Sequence, residues 1–164
     1  MRLPIIISAG LLLSVNLNLP VMSQSPIEVV QSQVSNNLNF RRLKFNRYLW
    51  NKKNISNYRY TLSNSCFCIP EARGPVVIEV RNGQTTSITL IATSQPVDPQ
   101  LFQQYNTIPK LFNVIQDAIN RRASSLNVRY DPRFGYPTQI DIDYNTQLAD
   151  EEVYLSIENF EEIR

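Results

Sequence analysis

Asn82-Gly83 lies between two short runs of alternating apolar residues, and this constrains the fold more than any other feature of the chain. Val76, Ile78 and Val80 precede the pair; Thr86, Ile88 and Leu90 follow it. Asn-Gly readily takes positive φ at both positions, which is what a two-residue turn between twisted antiparallel strands requires. A hairpin is therefore expected, with Val77, Glu79 and Arg81 on the face opposite the first run. One apolar face on a sheet needs cover, because apolar area is stabilising only once it leaves water.

Two helices can supply that cover. Thr107 is a good N-cap, and Pro109 falls in the first turn, where a missing N–H costs nothing. Ile108, Leu111, Phe112, Ile115, Ala118 and Ile119 then form an i, i+3, i+4, i+7 stripe, and Arg121 and Arg122 meet the negative end of the helix dipole. An earlier helix is expected from Asn39 to Lys53, with Phe45, Tyr48 and Leu49 as its apolar side, Trp50 widening it and Asn54 ending it.

The remaining strands alternate more plainly. Tyr58, Tyr60, Leu62, Asn64, Cys66 and Cys68 would share one face of a strand that Pro70 ends. Residues 92–106 form a Pro- and Gln-containing connection that Phe102 and Tyr105 tuck onto the core. Leu126, Val128 and Tyr130 lead into the turn at residues 131–135; Ile140, Ile142 and Tyr144 return, and Val153, Leu155 and Ile157 close the chain. The order α-β-β-β-α-β-β-β predicts an α+β fold, with an antiparallel sheet of about six strands covered by two helices on one face.

The N-terminus reads as a secretory signal over residues 1–23. Arg2 gives a positive start, residues 5–15 are apolar, and Pro20 precedes small residues near Ser23. The apolar run is shorter than the roughly 20 residues a spanning helix needs, so no membrane span is expected in the mature form. A flexible polar segment over residues 24–38, frayed or weakly helical, would precede a single α+β domain over residues 39–164. The mature protein is expected in the periplasm or outside the cell. The 16 basic and 14 acidic residues of the whole chain nearly cancel, and the dense basic patch that nucleic acid requires is missing.

Several of these residues together carry a resemblance: Trp50, Asn57-Tyr58-Arg59-Tyr60, Cys66-Phe67-Cys68, Asn82-Gly83, Thr107 with Leu111-Phe112, Tyr130-Asp131-Pro132, Gly135-Tyr136-Pro137-Thr138 and Asp150-Glu151-Glu152. In that order they resemble an exported bacterial family, domain-of-unknown-function family 6174, over residues 49–157. The resemblance brings no established activity, so it implies no catalytic residue.

The chemistry open to the chain is narrow, because it contains no histidine. Ser-His and Cys-His nucleophile pairs are excluded, as are zinc sites built on imidazole. Nor does it contain a Gly-x-Ser-x-Gly elbow or a glycine-rich phosphate loop. Cys66 and Cys68 are the first candidate site. In a flat strand their Cα atoms would stand about 6.5 Å apart, near the upper limit for a disulfide, so a bridge requires a kink. They would serve as a structural clip, as half-buried thiols, as a dithiol redox pair or, joined by a carboxylate or a second chain, as metal-binding thiolates.

The second candidate is acidic. Asp141, Asp143, Asn145 and Glu152 fall at positions 1, 3, 5 and 12 of a calcium-loop window, with Leu148 at the apolar position 8. Thr146 stands where that loop needs glycine, and strands flank it, so a solvated hairpin edge explains the same residues. Tyr58, Tyr60 and Tyr136 are candidates for a recognition surface, since tyrosine is enriched at interfaces.

The expected function is a non-catalytic binding or envelope-accessory domain without a cofactor, with an envelope protein as its candidate partner. The alternatives are a calcium-binding module and a dithiol redox protein.

Overall fold

The computed structural model describes residues 26–66, 68–147 and 152–163, with side chains from Ser35 onward. The expected signal segment, Phe67 and residues 148–151 lie outside them. Helix α1 (Pro26–Lys53) leads into β1 (Tyr58–Ser65), a single helical turn α2 (Pro70–Arg73) and the hairpin β2 (Val76–Arg81) and β3 (Gln84–Leu90). A 3-10 turn (Pro99–Phe102) and α3 (Ile108–Asn120) then precede β4 (Ser125–Tyr130), β5 (Pro137–Asp143) and β6 (Glu152–Glu162). All six strands join one antiparallel sheet in the order β3-β2-β1-β6-β5-β4, so the expected α+β class holds, with α2 as an additional short helix.

The first and last strands pair at the centre of this sheet, which ties the two ends of the domain together. The halves α1-β1-β2-β3 and α3-β4-β5-β6 suggest a duplication, but the topology argues against one. Each half adds its strands in the same lateral direction, yet β1 and β4 run antiparallel. With both helices on one face, no rotation or translation relates two such halves.

Sequence periodicity explains the core. Ile108, Leu111, Phe112, Ile115, Ala118 and Ile119 of α3 are all buried, and Thr107 Oγ1 accepts the Lys110 N–H as the expected N-cap. They pack with Tyr58, Tyr60, Leu62, Val76, Ile78, Val80, Ile140, Ile142, Leu155 and Ile157 from the sheet. Asn82 and Gly83 both have positive φ, as the hairpin demands.

Helix α1 departs from its expected form in two ways. It begins at Pro26 instead of Asn39, and its buried residues are Leu43 and Trp50. Phe45 and Tyr48 are more than 60% exposed, at 64% and 63%. Seven residues make nearly two turns, so Leu43 and Trp50 share the face toward the core while Phe45 and Tyr48 lie across the helix from it. Trp50 decides the orientation, because it meets Tyr58 and Phe160 edge-on at centroid distances of 5.4 and 5.6 Å. Phe160 reaches this cluster through a bulge. The register between β1 and β6 shifts between Arg59 and Thr61, Asn159 takes φ 49°, and the following side chain turns inward.

The core tyrosines also use their hydroxyls. Tyr58 Oη accepts the Ile108 N–H at 3.0 Å, and Tyr60 Oη donates to the Tyr105 carbonyl at 2.7 Å. Burial pushes Tyr58 up to about 12 and Tyr60 well above its ordinary value. Because the folded values exceed the unfolded one of about 10, their contribution is intact below pH 10 and is lost as pH rises toward 12. The denaturant midpoint should therefore stay flat through neutral pH and fall above about pH 10. Phenolate absorbance showing Tyr58 and Tyr60 ionised near pH 10 in a folded protein would contradict their placement.

Candidate functional site

Strand alternation sends every second side chain of the sheet away from α1 and α3, so neither helix covers the opposite face. Cross-strand pairing arranges that face in rows. Arg129, Gln139, Ser156 and Ser63 form one row, and Asn127, Asp141, Tyr154 and Ser65 form the next. Gln139 Nε2 donates to Asp141 Oδ2 at 2.7 Å, and Ser156 Oγ donates to Glu158 Oε1 at 3.2 Å. Arg59 closes one end by pairing with Glu161, its Nη2 at 2.6 Å from Oε2. Within this polar field Tyr154 is 42% exposed.

Two shallow depressions run along the face and share Ser63, Ser65 and Tyr154. One, of about 530 Å³, extends toward Arg129, Gln139 and Ser156. The other, of about 660 Å³, extends toward Cys66, Arg73 and Gly74. Both fall in the size range of small-ligand sites, but their lining of hydroxyls, carboxamides and scattered charges suits hydrogen-bonded recognition of a polar surface or segment.

Cys66 and Cys68 border this face and form a disulfide. The expected strand does not continue through them. Strand β1 stops at Ser65, the chain bends, and the Cα atoms come to 5.3 Å, inside the range a bridge needs. Arg73 Nε donates to the Cys68 carbonyl at 3.0 Å and holds the bend. Closing so short a loop contributes about 1.5 kcal/mol at most on the chain-entropy account, so the bridge fixes local shape more than global stability. Pro70 opens α2 instead of ending a strand.

The acidic candidates lie on the same face. Asp141 and Asp143 belong to β5, Asp143 stands opposite Glu152 of β6, and Asn145 Oδ1 caps a turn by accepting the Gln147 N–H. Asp143 Oδ1 is buried without a hydrogen-bond partner among the described residues. Asp141, Asp143 and Glu152 do not gather into a group able to hold a metal ion among those residues. Alternate strand positions stand nearly 7 Å apart, whereas calcium draws its oxygens within about 2.6 Å of one point. Residues 148–151 of the expected loop lie outside the described residues.

The tyrosine expectation is corrected. Tyr58, Tyr60 and Tyr136 are 1%, 1% and 7% exposed, respectively, and belong to the aromatic core around Trp50, so they present no recognition surface. The tyrosine that does face outward on the sheet is Tyr154, which the sequence reading passed over. Its signal was available: Val153, Leu155 and Ile157 alternate inward, which leaves Tyr154 and Ser156 outside. Arg129 and Ser63 were legible in the same way.

A third depression of about 620 Å³ lies beside α3. There the Tyr144 hydroxyl donates to Asp117 at 3.0 Å, and Arg121 lies 3.9 Å over the Tyr144 ring. Desolvation and the Asp117 carboxylate push Tyr144 up to about 12, and the three groups satisfy one another.

Among the described residues no helix is long and apolar enough to cross a membrane. No curated protein and no solved structure matches the chain. The model of a family described as a family of unknown function (DUF6174) does match, over residues 42–162, which take in the core-facing half of α1 and the whole sheet, and the chain belongs to that family.

Proposed function

We propose that the protein is an exported, non-catalytic binding module whose contact surface is the open sheet face around β1, β6 and β5. The observation that carries this reading is Tyr154, a large aromatic 42% exposed amid serine, glutamine and arginine side chains, while the other strand tyrosines pack inward or half-inward. Tyrosine and arginine are the residues that most often anchor interfaces, because they combine contact area with hydrogen bonding. Neighbouring hydroxyls and carboxamides form the polar rim such an anchor needs. Export rests on the signal pattern over residues 1–23 and is supported by the Cys66–Cys68 bridge, since disulfides persist in oxidising compartments. An envelope protein is the partner this location favours.

Photo-crosslinking in the exporting cell tests the reading. A benzophenone side chain at position 154 should give one discrete adduct, and the same group at the exposed Asn120 of α3 should give none. Equal labelling from both positions, or no adduct from 154, would refute it.

A further inference from the structure

Helix α1 presents a second surface that the open sheet face does not explain. Leu38, Arg41, Phe45, Tyr48 and Lys52 follow one another at spacings of three and four, so they share one side of the helix. All five are exposed; Leu38, Phe45 and Tyr48 are 55%, 64% and 63% exposed. Phe40, 45% exposed, lies farther round, and Lys44 flanks the stripe. Between Pro26 and Lys53 the helix carries six cations and a single carboxylate, Glu28. Among the described residues no carboxylate lies within ion-pair distance of any of these cations; the ion pairs are Arg59–Glu161, Arg81–Glu79 and Arg121–Asp117. Arg42 and Arg47 are otherwise engaged, donating to the carbonyls of Val128 and Phe112. Arg41, Lys44 and Lys52 have no such partner among the described residues and stand beside the exposed aromatics.

We infer that this side of α1 docks on an anionic lipid surface. Charge complementarity selects that occupant. A second copy docked helix to helix would bring Arg41, Lys44 and Lys52 against the same cations, whichever way the helices ran, with no acidic residue on the stripe to offset them. A protein partner would ordinarily meet about 800 Å² of complementary surface, and three or four separated apolar side chains on a convex helix supply little of that. A bilayer interface accepts this shape: a few apolar and aromatic side chains enter the headgroup boundary while lysine and arginine meet the headgroup charge. The opposite side of the molecule is suited to facing away. The carboxylates of Glu79, Asp141, Asp143 and Glu158 stand on the open sheet face, across the sheet from α1. Docking through α1 therefore leaves Tyr154 and its neighbours turned outward, though the inference stands without the sheet-face reading.

The test uses the full chain carrying Phe45→Trp as a reporter, mixed with vesicles of phosphatidylcholine alone or with one quarter phosphatidylglycerol. Trp50 is buried and gives a constant background, so a spectral change reports position 45. Blue-shifted emission, quenched by brominated acyl chains, is expected with the anionic vesicles only. In the same background Arg41→Gln, Lys44→Gln and Lys52→Gln together should weaken the response about a hundredfold, because each cation near an anionic surface contributes about a factor of five. Unchanged emission with anionic vesicles, an equal response to both compositions, or full retention in the triple variant would overturn the inference. So would a concentration-dependent blue shift without lipid, which would assign the stripe to a second copy.

Discussion

Alanine in place of Trp50 should lower the stability of the fold by about 3–5 kcal/mol, the usual cost of deleting a buried large aromatic. Trp50 is 4% exposed and is the hub through which α1 meets the sheet, touching Tyr58, Tyr136 and Phe160 edge-on. Alanine would leave a cavity bounded by three rings, and rings held by their own strands cannot collapse into it. A single domain of this size has about 5–15 kcal/mol in all, so the variant would retain only a fraction of its stability. Phe45→Ala, five residues earlier on the exposed side, should stay within about 0.5 kcal/mol of the parent. Denaturant titration of both variants reads the difference directly. Comparable losses from the two would mean that α1 is rotated from the position described.

The second large effect is expected at Gly135. Its φ is +81°, and a Cβ there would lie 2.5 Å from the Asn46 carbonyl oxygen and 3.0 Å from Leu49 Cβ. The turn between β4 and β5 rests directly on α1 at this point, and helix backbone cannot yield as a flexible side chain can. Gly135→Ala combines left-handed backbone strain with an overpacked contact, together about 3 kcal/mol or more. Gly83 is the matched control: it has φ +76° in the hairpin but nothing within 4 Å of an added Cβ. Gly83→Ala should therefore cost only the backbone strain, about 1–2 kcal/mol. Melting temperatures that fall equally for the two variants would show that the close approach to α1 contributes nothing.

These two positions also mark how far the sequence could be read. The hairpin and α3 were legible because their signals are local: Asn82-Gly83 needs no tertiary contact to prefer its turn, and the α3 stripe is complete within thirteen residues. The face of α1 was not legible. Leu38, Phe45 and Tyr48 put three apolar side chains on the wrong side, against Leu43 and Trp50 on the right one. Only the aromatic pocket of Tyr58, Tyr136 and Phe160 decides between them, and those residues come from three distant stretches of chain. The bulge at Asn159 was hidden for a similar reason, since it exists only in the pairing of β6 with β1. At the candidate site, alternation located the open face but not its depressions, which depend on the central pairing of the first and last strands. The tyrosines were misjudged because a period of two separates faces without saying which one the helices cover. Tyr58 and Tyr60 fall under α3 while Tyr154 stays outside.

That contrast supplies the most direct measurement. Radical footprinting of the eight tyrosines, on purified protein and again in the intact exporting cell, reports which face is occupied. Purified protein should label at Tyr154 and Tyr48 and spare Tyr58 and Tyr60. In the cell Tyr154 should lose its reactivity, as a residue covered by a partner does, while the half-exposed Tyr144 beside α3 keeps its own. Tyr154 labelling as strongly in the cell as in isolation would contradict the assignment of the open sheet face as the contact surface.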